Sequence, residues 1–351
     1  MTAPLHVRSA RTALSHRLAA GLLLALGALS LAAPGHAAEP EPPKPPQVDM
    51  ARFDYGLQAR ALAEGVWVVE GKNADFEPAN GCNIINTGFI ATGSGVLVIN
   101  TGPSKRYGEQ LRALIARTTK EPVVQVIHLN LHPDYFLGNQ AFADVPRVAT
   151  PSTRAGMQRE AKAYEDNLFR MCGDWMLGTE SLLPDRDLVP DSAGRASLRL
   201  GSREFELTAL SGHTDSDLVL VDKRSGIAFV GGLVFVDRIP TTPHARLPDW
   251  LASLDRLQAM QRAWMVPSHG PVRQGDAGLQ GTRDYLRWLD GHLRHAAQDG
   301  AEITELLRMP VAAPFDGWAA VQTEQVRNIA NLYPAYEREA LRPVTTRPAP
   351  R

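Results

Sequence analysis

His128-Leu129-Asn130-Leu131-His132-Pro133-Asp134-Tyr135-Phe136-Leu137-Gly138-Asn139 is the stretch on which the reading of this 351-residue chain turns. It follows Val123 to Ile127, a run so nearly apolar that it reads as a strand covered on both faces. A histidine and an aspartate just beyond such a strand sit where a rigid scaffold meets an accessible loop. Two other histidines occupy similar junctions. His213 lies in Ser211-Gly212-His213-Thr214-Asp215-Ser216-Asp217 before a strand, and His269 lies in Val266-Pro267-Ser268-His269-Gly270 after one. Neutral imidazoles with a carboxylate suit a borderline-soft ion such as zinc. Any one of these histidines alone reads as an ordinary packed or surface group; the set at strand ends points to a metal.

Outward from that stretch, strands are expected at 66–69, 83–90 and 95–100, a helix at 104–118, and a strand at 147–150. A helix from Ser152 runs on to Phe169. Strand candidates follow at 196–200, 203–210, 218–222 and 227–231, then a helix at 247–261 and a strand at 263–266. Helical segments at 278–298, 302–307 and 323–339 complete the pattern. Two strand-rich halves, each with helices, suit an α/β domain with helices outside two sheets. No dinucleotide fingerprint and no phosphate-binding Gly-Lys-Ser/Thr motif is found.

The chain carries 37 Lys plus Arg against 38 Asp plus Glu, ten histidines and two cysteines. A formal charge of −1 gives no electrostatic footprint for nucleic acid. Two cysteines exclude a four-thiolate zinc module or an iron–sulfur cluster and allow one disulfide at most; whether Cys82 and Cys172 pair is left open by the sequence. Arg8, Arg11 and Arg17, an apolar run from Leu18 to Ala33, and Gly35-His36-Ala37 have the three-part pattern of a secretory signal peptide. The expected organisation is a signal peptide at 1–37, a Pro-rich tether at 38–52, one domain at 53–341 and a flexible tail at 342–351. After cleavage, no stable membrane span is expected and the protein works in the periplasm.

The motifs resemble the metallo-beta-lactamase superfamily, most closely the branch named quinoprotein relay system zinc metallohydrolase, related to the sulfur-oxidation protein SoxH. The resemblance spans Tyr55 to Tyr336. It rests on Val69-Glu70-Gly71-Lys72-Asn73, Asn86-Thr87-Gly88-Phe89, Asn100-Thr101-Gly102-Pro103-Ser104, His132-Pro133-Asp134 with Gly138-Asn139-Gln140, Gly212-His213-Thr214 and Ser268-His269-Gly270. It implies a four-layer αβ/βα sandwich and a metal site at His132, Asp134, His213 and His269, with Asp134 as a general base when it is not a ligand. Three of the superfamily's seven ligand positions are substituted: Asn130 and Tyr135 stand where histidines are usual, and Gly232 where a bridging aspartate is usual. Asn100 replaces a supporting aspartate. All four changes remove ligand strength or negative charge. Asn130-Leu131-His132-Pro133-Asp134 also resembles the mono-zinc lactamase subclass, but the cysteine ligand of that subclass falls at Gly232. His128 reads as a histidine paired in the strand interior rather than a replacement ligand.

Two functions follow from the resemblance. One is a mono-metal hydrolase, holding one zinc or iron and acting on a small-molecule ester or thioester. The other, favoured by the substitutions, is a relative with altered or lost hydrolytic chemistry and no metal, an accessory or binding partner of a periplasmic quinoprotein dehydrogenase.

Overall fold

The computed structural model describes residues 48–342; the expected signal peptide, most of the tether and the tail from 343 lie outside the described residues. Seven strands form the first sheet in chain order: β1 (Arg60–Ala63), β2 (Val66–Val69), β3 (Thr87–Ala91), β4 (Val96–Ile99), β5 (Val123–Ile127), β6 (Arg147–Ala149) and β7 (Arg186–Asp187). Pairing is antiparallel from β1 to β4 and parallel from β4 to β7. Along β4 the side chains sort by parity. Val96 and Val98 pack outward, and Leu97 and Ile99 pack inward, as the two-residue period of a strand covered on both faces requires.

The outward face is covered by α1 (Lys105–Thr118), whose Tyr107, Leu111, Leu114 and Ile115 recur at helical spacing and are buried. Ser104 caps it, its hydroxyl accepting the Tyr107 N–H. The short helix α2 (Pro133–Phe136) begins with proline, whose missing N–H costs nothing at a first helical position. The long helix α3 (Pro151–Cys172) is capped by Thr150.

The second sheet runs β8 (Arg195–Leu200), β9 (Arg203–Leu210), β10 (Asp217–Asp222), β11 (Ile227–Phe229) and β12 (Trp264–Val266). It is antiparallel except for the parallel pair β11–β12, whose crossover carries α4 (Leu247–Gln258). Phe205, Leu207, Leu218 and Leu220 meet the inward residues of the first sheet. On the opposite face, Val219 and Met265 pack under α4 and α5 (Ala277–Gln298), joined by α7 (Val321–Ala340) after the single turn α6 (Ile303–Leu306). The result is the expected four-layer αβ/βα sandwich. Among the described residues, no helix is long and apolar enough to cross a membrane.

The elements depart from expectation where side chains serve the loops. The strand expected from 83 begins only at Thr87, because Asn86 turns its amide into the loop of His269. Its Nδ2 donates to the carbonyls of Pro267 and Gly270 at 3.0 and 2.8 Å. The strand expected over 227–231 stops at Phe229, and Gly231–Leu233 turns instead, with Gly231 at φ 53°. Edge strands β1 and β7 are partly or wholly exposed and lack an apolar run, so no sequence pattern marks them. Cys82 and Cys172 are joined in a disulfide with their Cα atoms 5.9 Å apart, tying the loop before β3 to the end of α3.

Candidate functional site

The loops after β5, before β10 and after β12 converge at one edge of the sandwich, bringing His132, Asp134, His213 and His269 into one neighbourhood. The rings of His132 and His213 meet edge to face with centroids 4.6 Å apart. Gly212 makes the His213 turn possible: its φ is 127°, and a Cβ there would fall onto the backbone of Trp250 in α4.

At the first expected ligand position, Asn130 has its amide committed on both sides. Its Oδ1 accepts the backbone N–H of His132 at 2.9 Å, which fixes the amide orientation. Its Nδ2 donates to Asp217 Oδ1 at 2.5 Å and lies 3.1 Å from His213 Nδ1. The oxygen, the one atom of this amide able to ligate an ion, is therefore turned away. Asp217, fully buried, also accepts the Thr214 N–H at 2.8 Å and lies 3.3 Å from His213 Nδ1. It is the hub of this half of the site, and the sequence marks it only as part of the loop carrying His213.

Gly232 is not simply a lost carboxylate. A Cβ at that position would fall within the His213 ring, so the imidazole occupies the room a bridging side chain would need. Tyr135 is wholly buried in the core between the sheets. Burial, then the charges of Asp134 and Asp217, push its phenol well above its ordinary value, so it stays neutral. Asn100 adopts φ 60°, a conformation asparagine tolerates, and its Oδ1 accepts the Leu129 N–H at 3.1 Å. His128 faces inward, its Nδ1 donating to the Tyr135 carbonyl at 3.1 Å, and burial drives its pKa down to about 3.

Asp134 and His269 are both kept, and they close on each other. His269 Nε2 lies 3.0 Å from Asp134 Oδ2, and Nδ1 lies 2.8 Å from Ser268 Oγ. Burial lowers the His269 pKa to about 4 despite the neighbouring carboxylate. In the neutral imidazole Nε2–H donates to Asp134, and the Ser268 hydroxyl lies between Nδ1 and the Val234 carbonyl, 3.1 Å away. Phe235 stacks on the ring at 4.8 Å and 3°. Asp, His and Ser thus lie in one line, but Ser268 is only 3% exposed and contacts no cleft, so it offers no nucleophile.

Above this floor opens a cleft of about 600 Å³, within the range of small-molecule sites. His132, Asp134 and His269 line its base, and α3 and α7 supply facing walls; His213 lies behind His132 and is not part of the lining. The structure adds a fourth imidazole. His244 stands with its ring 5.4 Å from His132, its Nε2 3.2 Å from the Tyr164 hydroxyl. It sits in Pro243-His244, in an irregular loop with no strand-end signature, so nothing in the sequence singles it out. His132 is held well below its ordinary pKa by burial and by neighbouring His213, His244 and His269, and neither ring nitrogen has a hydrogen-bond partner among the described residues.

These residues do not fit the metal site that the resemblance implies. Asn130 presents its oxygen elsewhere, Gly232 has no donor and no room for one, Tyr135 is a neutral phenol, and Asp134 and His269 satisfy one another. Among the described residues, no three His, Cys, Asp or Glu side chains are arranged to hold an ion.

Comparison with known proteins agrees with the architecture. The chain is 24% identical over 271 residues to the linear primary-alkylsulfatase of Pseudomonas sp. (strain ATCC 19151), covering 63% of this chain and 49% of the relative. The chain therefore spans about half the length of that curated relative. Among solved structures, it is similar to the metallo-beta-lactamase from Pontibacter korlensis, with 24% identity, a TM-score of 0.51, and coverage of 66% of this chain and 99% of that one. It is also similar to the metallo-beta-lactamase from Hirschia baltica, with 18% identity, a TM-score of 0.52, and coverage of 66% and 97%. At these identities the likeness is one of fold. The profile described as metallo-beta-lactamase superfamily matches residues 80–269, more than half of the chain, and the protein belongs to that superfamily.

Proposed function

We propose that this chain is an exported superfamily member whose hydrolytic chemistry has given way to metal-independent binding of a small molecule in the cleft. The observation that carries this reading is the direct contact of Asp134 with His269, together with the commitment of Asn130 to His132 and Asp217. Two side chains at expected ligand positions satisfy each other, and a third is locked into the backbone. Export to the periplasm is supported by the three-part pattern of residues 1–37. An accessory role beside a quinoprotein dehydrogenase rests on the motif resemblance to the quinoprotein relay branch.

The test is metal analysis of the exported full chain purified without added metal, followed by calorimetric titration with zinc. The expected result is less than about 0.1 metal per chain and no uptake tighter than about micromolar, far weaker than zinc sites built from committed ligands. Stoichiometric sub-micromolar zinc, accompanied by zinc-dependent ester or thioester hydrolysis, would overturn the proposal in favour of the mono-metal hydrolase.

A further inference from the structure

The cleft has an apolar body and a base rich in hydrogen-bond acceptors. Phe76, Ile84, Tyr164, Leu168 and Met171 are among its apolar lining. At its base, Asp134 uses Oδ2 on His269, while Oδ1 has no partner among the described residues. Beside it stands His132, 7% exposed, with neither ring nitrogen engaged among the described residues. An unsatisfied buried ring nitrogen is costly unless a ligand completes it.

Charges around the cleft are unevenly answered. Glu324 is met by Arg238 at 3.4 Å and by Arg327 at 2.9 Å, and Arg327 also holds Asp75 at 2.9 Å. Arg170 turns back on its own helix, bonding Asn167 and the Asp166 carbonyl. Neither Asp134 nor Glu160 is bonded by an arginine or lysine among the described residues, though both line the cleft. Counting these ion pairs, four carboxylates face three guanidiniums.

We infer that the cleft takes an organic cation, a primary ammonium on an apolar body, with the ammonium at Asp134 and His132 and the chain along α3 towards Glu160. An ammonium carries three donors and no acceptor, the complement of a base that offers a carboxylate oxygen and an unengaged imidazole nitrogen. Tyr164 and Phe76 add aromatic faces that attract cations. An anionic head, such as the sulfate ester named for the alkylsulfatase relative, would meet two unanswered carboxylates instead. The inference rests on the metal-free reading of the same cleft.

The experiment is calorimetric titration of the full chain with octylammonium, octanol and octyl sulfate, three ligands sharing one tail, in the presence of a chelator. Octylammonium is expected to bind at least about tenfold more tightly than octanol, and octyl sulfate more weakly than either. Glu160→Gln, a change on a half-buried helix face, should reduce the preference for ammonium over alcohol several-fold. Asp134→Asn should abolish it. Octyl sulfate binding as tightly as octylammonium, no binding of octylammonium, or an undiminished preference in Glu160→Gln and Asp134→Asn would each overturn the inference. If zinc is taken up tightly in the metal titration, the metal-free reading fails; if zinc is not bound and octylammonium is refused, only the ligand class fails.

Discussion

The two halves of the expected ligand ring have been closed in different ways. Around Asp134 and His269, where positions 135 and 232 have changed, one hydrogen bond of 3.0 Å joins the two residues that remain. Around His132 and His213 one position has changed, to Asn130, and a network centred on buried Asp217 fills the gap, with the His213 ring lying where a side chain at 232 would project. The first closure is a contact between side chains and is reversed by rotating them. The second is a repacked core. A surviving residue therefore says less about retained chemistry than whether its neighbours still leave it free.

The largest expected effect tests the repacked half. Asp217→Ala leaves the Thr214 N–H and the Asn130 amide without their acceptor in the interior, and should cost about 3 kcal/mol of stability, read by denaturant unfolding. A loss below about 1 kcal/mol would mean that the network is decorative. Gly232→Asp comes next. Because its side chain must displace the His213 ring, it should destabilise by about 2 kcal/mol without creating zinc uptake. Uptake in this single variant would erase the distinction between the halves.

Acid sensitivity provides a third measure. His128 is held at about 3 in the folded chain against 6.5 ordinarily, so the unfolded chain binds the extra proton between these values. Its contribution is present above pH 6.5 and is lost as pH falls through that window, at up to about 1.4 kcal/mol per pH unit. The slope of stability against pH should flatten in His128→Gln, and an unchanged slope would assign acid sensitivity elsewhere. Smallest is Ser268→Ala, which removes the hydroxyl shared between His269 Nδ1 and the Val234 carbonyl and should cost about 1 kcal/mol. A much larger loss would show that the Asp134 half is also a built network rather than a single contact.

The scaffold was readable because it depends on local pattern. The parity of β4, the helical spacing of Tyr107, Leu111, Leu114 and Ile115, and the motif around His132 each declare themselves within a few residues. The state of the site was readable only in part. Substitutions at 130, 135 and 232 are visible in the chain, but how their neighbours responded is not. That Asn130 gives its amide N–H to Asp217, 87 positions further on, or that the His213 ring fills the space over Gly232, depends on contacts that only folding makes. His244 carries no signal in the sequence for the same reason, since only folding places its loop beside His132. Short edge strands β1 and β7 went unmarked because exposed edges need no apolar alternation.

The bond between Cys82 and Cys172 joins the segment leading to Ile84 with the helix that presents Tyr164, Leu168 and Met171, so it staples two parts of the cleft's lining together. Protein produced in a reducing cytosol would carry these walls unstapled, and its ligand affinities would describe a differently shaped container. The oxidation state of a preparation is thus a coordinate of every binding measurement made on it.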